Sequence, residues 1–320
     1  MTAARLASST LSLLARLRRS RWAGLLIILL VAAFWALFIS RQLNSLAQYS
    51  WQLQPAALGT ALVFAGLYHV TLALCWSWLL RRMGERLSYR QAVGAWQASM
   101  LARYVPGNVW HILSRIALAS RWGAQPGRVL ASSTLEQVLN VIGALALVGL
   151  TFPFWGLPAT AQFWLLALVP LGLAALHPGL LGRLLDWAAR RFKRPQLAWH
   201  YRYREILLPT AGYMLAMLWV GLALYATMSG LVPVSPGQLP LYVGTGALAW
   251  AVGYLSFLTP SGIGVREGVI VLVLAQVMPL PAAVVGSILY RIVVTLAELA
   301  MAGLTWVINR GTAGARQPNL

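Results

Sequence analysis

Runs of 18 or more mainly apolar residues recur along this 320-residue chain and constrain its fold more than any other feature. As an α-helix, a run of that length spans the roughly 30 Å hydrocarbon core of a bilayer. Hydrophobic residues make up 59% of the sequence and charged residues 10%, whereas soluble domains are about 25% charged. The longest polar stretch, 183–205, is too short for a soluble domain. The sequence therefore predicts an all-α, polytopic integral membrane protein.

About six spanning helices are predicted from these apolar runs. They lie at about 22–40, 55–80, 129–151, 162–182, 206–229 and 283–308. The chain is accordingly divided into a basic N-terminal tail at 1–21, a single transmembrane domain at 22–308 and a C-terminal tail at 309–320.

The net charge of +19 is distributed unevenly between the two predicted sides of the membrane. Five of the 25 Lys and Arg residues lie in 1–21, four in 81–90 and seven in 183–204. The loops predicted on the opposite side contain only Arg41. An excess of Lys and Arg marks cytoplasmic loops, so both termini are predicted to be cytoplasmic. This distribution argues against a nucleic-acid partner.

Two stretches that lie within apolar sequence interrupt the helical pattern. Val105-Pro-Gly-Asn108 separates helical patterns at 91–104 and 109–120, and each half extends roughly 20 Å, too short to span the core. Leu258–Gly268 contains a proline, three glycines and an Arg-Glu pair. In hydrocarbon, irregular backbone survives only when it is buried in protein or lines a wet cavity. We therefore predict a re-entrant hairpin at each break.

Other interpretations of the two breaks remain open. The first could be an amphipathic segment lying in the membrane interface. Around the second, 241–258 and 263–277 could instead form two full spans, or 258–268 could be an ordinary loop.

The order of elements predicts an internal repeat of opposite orientation. Repeat one, at about 22–151, and repeat two, at about 162–308, each run as helix, helix, broken hairpin, helix. In inverted repeats, broken helices meet near the membrane midplane and form the substrate site.

Charged residues in apolar surroundings cluster around the two breaks. Four arginines, together with helix N-termini after Pro106 and Pro260, favour an anionic ligand. Glutamates are expected to hold the arginines or carry protons, with Glu267 or Glu136 as the partner of Arg291. Purely structural ion pairs are the alternative. The predicted site comprises Arg103, Pro106, Gly107, Asn108, Arg115, Glu136, Pro260, Ser261, Gly262, Gly264, Arg266, Glu267 and Arg291.

No motif of an enzyme or a cofactor site competes with this interpretation. The sequence has no HExxH, CxxC, Walker or GxSxG pattern, which are the arrangements that zinc, nucleotide and acyl-transfer chemistry require. Its single cysteine is Cys75, and its four histidines lack the spacing of metal ligands. We expect no catalytic residues, no metal and no cofactor.

Several of these residues also carry a family resemblance. Ala102–Val109 with Arg115 looks like a Pro-Gly motif and its following arginine, and Thr259–Glu267 with Arg291 looks like a second such motif. With these motifs the chain resembles the lysylphosphatidylglycerol synthase transmembrane-region family. At Leu135–Gln137 the chain has the glutamate of the family's Glu-Arg element, Glu136, but Gln137 replaces the arginine.

The resemblance implies a translocase-like fold in the bacterial inner membrane. Aminoacyl transfer in that family belongs to a separate soluble domain, which is not expected here. We therefore expect a non-enzymatic transporter or flippase for an anionic phospholipid or isoprenoid-phosphate head group. The main alternative is an accessory protein that scaffolds a lipid-modifying or glycan-assembly enzyme. A membrane-embedded transferase is a weaker alternative. Homo-oligomerisation is left open. Gln137 and Ser261 depart from the family pattern, so no exact substrate is carried over.

Overall fold

The computed structural model describes residues 53–104, 110–156, 203–256 and 260–313. Within these ranges the protein is helical and contains no β-strand, as the sequence predicts. Eight α-helices follow one another along the described chain. They are α1 (Pro55–Arg82), α2 (Tyr89–Met100), α3 (Trp110–Ser120), α4 (Pro126–Thr151), α5 (Tyr203–Ser229), α6 (Leu239–Leu255), α7 (Val265–Leu274) and α8 (Leu280–Ala313).

Four of these helices, α1, α4, α5 and α8, are long and apolar enough to cross a membrane. They match four of the six predicted spans. Pro55 and Pro126 lie in the first turns of α1 and α4, where a proline removes no helical hydrogen bond. The predicted spans at 22–40 and 162–182 lie outside the described residues.

The remaining helices come in two pairs, each interrupted by a break. Helices α2, α3 and α7 have 12, 11 and 10 residues, so they extend only roughly 15–18 Å, whereas α6 has 17 residues and extends roughly 26 Å. Ser88 begins α2 with a reciprocal cap, in which its side chain accepts from the Gln91 N–H and its own N–H donates to the Gln91 side chain. Helix α2 packs against α3, and α6 packs against α7.

The core forms where α5 packs along α1 and where α6 packs against both α4 and α5. Glycines allow α5 and α6 to approach closely. A side chain at Gly221 would collide with the backbone of Val243, and one at Gly246 would collide with Gly221. The two helices therefore meet backbone to backbone, which fixes the position of α6 within the bundle.

The turn that precedes the first break lies next to the second break. A 3₁₀ turn at Leu101–Tyr104 ends the first short helix, and a second 3₁₀ turn at Pro260–Gly262 precedes α7. Cα atoms of the two turns approach within 8 Å. Helix α8 packs against both α2 and α7. The fold thus brings these two turns together, although they are about 150 residues apart in the chain.

Candidate functional site

A buried ion pair joins the first broken segment to α4. Arg115 and Glu136 have exposed side-chain fractions of 0% and 1%, and the guanidinium contacts the carboxylate directly. Trp96 Nε1 donates to Glu136 Oε1 over 2.6 Å, and Arg115 Nε donates to Ser99 Oγ over 3.1 Å. The guanidinium also lies 4.9 Å and 5.3 Å from the ring centroids of Trp76 and Trp96. These contacts hold Arg115 inside the protein.

The second break has an unusual backbone. Ser261, Gly262 and Gly264 have positive φ angles of 54°, 68° and 84°, and a non-glycine residue held there costs on the order of 1–3 kcal/mol. Gly262 is required because a side chain would collide with the backbone of Gly253. Arg291 Nη2 donates to both the backbone oxygen and the hydroxyl of Ser261, over 3.3 Å and 3.1 Å. Arg291 therefore stabilises the strained turn.

Glu267 has two contacts at the same break. Its Oε2 accepts from the backbone N–H of Gly264 over 2.7 Å, which caps the start of α7. Its Oε1 lies 3.7 Å from Arg291 Nε, so Glu267, and not Glu136, is the partner of Arg291. The sequence analysis expects helix N-termini to favour an anionic ligand. At this helix start the Glu267 carboxylate of the chain itself accepts from the Gly264 N–H.

A third ion pair connects the first break to α8. Arg103, in the turn that follows α2, contacts the carboxylate of Glu298. The Glu298 side chain is fully buried and that of Arg103 nearly so. Helix α8 therefore holds both breaks, one through Glu298 and the other through Arg291.

Arg266 is the exception among the four arginines of the predicted site. Its Nε atom is buried without a hydrogen-bond partner, and no hydrogen bond or ion pair to Arg266 is present in the described parts of the chain. Its guanidinium carbon lies 5.9 Å from the ring centroid of Trp250. Gly253 leaves room for the side chain, since a methyl group there would collide with Arg266.

The charges around the breaks consequently do not balance. The other three arginines each face one glutamate, so the cluster has one surplus positive charge, and Arg266 carries it. Only six acidic residues occur in the whole sequence. Half of them are used in these three pairs.

Two cavities meet at Arg266. Together with the open solvent at its mouth, the first has a volume of about 510 Å³ and the second about 430 Å³. Both are lined by Tyr68, Arg103, Trp250 and Arg266. The first cavity is further lined by Leu72, Trp96, Met100, His111, Glu136, Gln137, Asn140, Gly253, Tyr254 and Ser261. The second is further lined by Val220, Gly246, Ala249, Glu267, Ile270, Tyr290, Arg291 and Val294.

The wall between the cavities is partly aromatic. Trp250 Nε1 donates to Tyr68 Oη over 2.8 Å, and the Trp250 ring stacks on Tyr254 with centroids 5.3 Å apart. Sequence reasoning missed these aromatic residues and also Trp96 and His111. Apolar helices contain aromatic residues on every face, so no local signal separates these from lipid-facing ones.

The predicted site residues fall into four groups. Those lining a cavity are Arg103, Glu136, Ser261, Arg266, Glu267 and Arg291. Those forming the backbone of the second break are Pro260, Gly262 and Gly264. Arg115 is packed behind the first cavity and is not among the residues that line either one. Pro106, Gly107 and Asn108 lie outside the described residues.

The family model described as the lysylphosphatidylglycerol synthase transmembrane region matches residues 21–302. The chain belongs to this family. The matched region contains both breaks and every residue that lines the two cavities. No curated protein matches the chain. Family membership and the four apolar helices identify an integral membrane protein built around a lipid-related membrane domain.

Proposed function

We propose that this protein is a non-catalytic lipid transporter that moves an anionic lipid head group between the leaflets of the bacterial inner membrane. The observation that carries the proposal is the position of Arg266, an unpaired cation where two different cavities meet. Charged and apolar side chains line both cavities, with Glu136 in the first and Glu267 and Arg291 in the second. The phosphate of a phospholipid or an isoprenoid phosphate supplies a negative charge that an unpaired arginine can bind.

The energetic argument concerns the cost of leaving Arg266 without a counter-charge. An arginine at the centre of a membrane helix costs about 2.5–3.5 kcal/mol on insertion scales. The protein compensates its other three intramembrane arginines with carboxylates, so the missing fourth carboxylate points to a transient counter-ion. A phosphate group is suited to this role because charge-assisted hydrogen bonds from arginine to phosphate are among the strongest.

The proposal includes a topology. We place both broken helix pairs as re-entrant hairpins, in an inverted repeat with six spans and both termini in the cytoplasm. The contact between the turn at Leu101–Tyr104 and the turn at Pro260–Gly262 supports this arrangement, as do α2, α3 and α7, which are too short to cross the bilayer. The basic residues Arg90, Arg121 and Arg128 flank the first pair, which favours entry from the cytoplasmic side.

Reconstitution into proteoliposomes tests the proposal. Phosphatidylglycerol with a fluorescent acyl chain is incorporated in both leaflets, and dithionite quenching follows its movement. We expect Arg266→Gln to slow translocation by roughly tenfold or more, since hydrogen bonds to charged groups contribute about 1.5–3 kcal/mol. Arg266→Lys should retain part of the rate because it keeps the charge. Arg121→Gln, a change at an exposed arginine, serves as the matched control and should leave the rate unchanged.

Wild-type rates in folded Arg266→Gln protein would refute the assignment of the site. A wild-type protein that moves no anionic lipid, but co-purifies with a lipid-modifying or glycan-assembly enzyme, would favour the accessory role instead.

A further inference from the structure

The first cavity is lined by neutral hydrogen-bonding groups that do not line the second. Among them are His111, Gln137 and Asn140. The carboxylate that lines the first cavity, Glu136, already accepts from Trp96 and is paired with Arg115. These three side chains therefore offer hydrogen bonds to a ligand, whereas the carboxylate of the first cavity is already engaged.

Two of these groups are buried with polar atoms that have no partner. Asn140 is 2% exposed and its Oδ1 lacks a hydrogen bond, and His111 is 5% exposed and its Nδ1 lacks one. A buried polar atom left unpaired is costly because it has lost its hydrogen bonds to water. An amide oxygen accepts and an imidazole nitrogen donates or accepts, so hydroxyl groups, which do both, complement the two.

The charges limit the ligand further. Arg266 supplies one surplus positive charge, which matches one negative charge. A phosphate monoester or a diphosphate would bring additional negative charge that no described side chain neutralises. An ammonium head group would find Glu136 already engaged, and it would lie in the same cavity as Arg103 and Arg266.

From these observations we infer that the transported lipid is a phosphodiester with a single negative charge and an uncharged, hydroxyl-bearing head group. The phosphodiester contacts Arg266, and the head group lies in the first cavity against Asn140, His111 and Gln137. The inference rests on the proposed function and narrows its substrate class. A glycerol head on a diacyl lipid and a sugar head on an isoprenoid lipid share this chemistry.

Matched lipid probes test the inference in the same proteoliposomes. Phosphatidylglycerol is compared with phosphatidylethanol, which has the same charge but no head-group hydroxyl, and with phosphatidic acid, which carries extra charge. For the wild type we expect phosphatidylglycerol to move roughly three- to tenfold faster than phosphatidylethanol, as one or two neutral hydrogen bonds allow. A second pair, a hexosyl phosphoprenol and the bare prenyl phosphate, distinguishes the isoprenoid source from the diacyl source.

Asn140→Ala should bring the ratio between phosphatidylglycerol and phosphatidylethanol close to one, mainly by slowing the former. Gln276→Ala removes an amide from an exposed position and should leave the ratio unchanged. If Asn140→Ala does not fold, the wild-type ratios decide alone.

The results of these assays distinguish the head-group inference from the proposed transport function. Equal wild-type rates for phosphatidylglycerol and phosphatidylethanol, together with no preference for the hexosyl lipid, would overturn the head-group inference while the proposed transport stands. Faster movement of phosphatidic acid than of phosphatidylglycerol would also overturn it. A protein that moves none of these lipids contradicts the proposed function itself. A preference for the hexosyl phosphoprenol over all diacyl probes supports the inference and assigns the sugar-bearing source.

Discussion

The buried pair of Arg115 and Glu136 allows a quantitative test of which intramembrane charges are structural. Glu136→Gln keeps the shape of the side chain but removes its charge, which leaves Arg115 as an uncompensated buried cation. Breaking a buried pair by neutralising one partner typically costs about 3–5 kcal/mol. Trp96 can still donate to the amide oxygen of the variant, so most of the loss should come from Arg115 itself.

Removing both charges should reverse most of this effect. Replacing a buried ion pair by neutral groups of similar volume is often neutral or stabilising, so Arg115→Met combined with Glu136→Gln should unfold within about 1–2 kcal/mol of wild type. We therefore expect a double-mutant cycle to show a large, favourable coupling energy between Arg115 and Glu136.

Cys75 makes the measurement convenient because it is the single cysteine of the chain. Its Sγ atom packs where α1 meets Gly212 of α5, so a thiol-reactive dye should label it when these helices separate. Labelling is followed during SDS titration of the micelle-solubilised protein. A loss below about 1 kcal/mol for Glu136→Gln would refute the reasoning, since burial requires the larger cost. A double variant that folds but transports no lipid would instead show that the pair takes part in transport.

Three further changes follow from the geometry. Gly253→Ala places a methyl group where Arg266 lies, and we expect translocation to fall as it does in Arg266→Gln; normal transport would mean that Arg266 acts from another position. Glu267→Gln loses the charge facing Arg291, and we expect translocation to be lost. Because Arg291 is partly exposed and 3.7 Å from Glu267, unfolding in SDS should shift by less than the roughly 3–5 kcal/mol of a fully buried pair; unchanged transport would remove Glu267 from the site. Gly221→Ala overpacks the contact between α5 and α6, and the same titration should show a loss of about 1–3 kcal/mol, whereas an unchanged midpoint would contradict the close approach.

The sequence was sufficient for the four described spanning helices but only partly for the site. Apolar length predicts α1, α4, α5 and α8 because a spanning helix requires about 20 apolar residues whatever it packs against. Proline and glycine predict the second break because its backbone requires positive φ angles at Gly262 and Gly264. For Arg291 the sequence left two candidate partners, Glu267 and Glu136, and the structure selects Glu267.

The remaining pairings could not be predicted in this way. Arg103 and Glu298 are 195 positions apart, and nothing in their local sequences indicates that they meet. The pair forms because the first break reaches α8, and that depends on the packing of the whole bundle. The lack of a carboxylate partner for Arg266 is likewise a property of the assembled fold, since it depends on the positions of all the glutamates.

The three ion pairs imply a specific constraint on any movement of α8. Glu298 and Arg291 lie seven residues apart on α8, which is about two helical turns and hence one face, and each holds a different break. A shift of α8 that opens one break must weaken one of these pairs, whereas Arg266 belongs to neither. If transport requires the two breaks to separate alternately, each separation would break one ion pair and leave its arginine without a carboxylate. An anion bound at Arg266 could then pair with that arginine. Arg103 lines both cavities together with Arg266. When the ion pair between Arg103 and Glu298 opens, a phosphate bound at Arg266 would therefore contact Arg103.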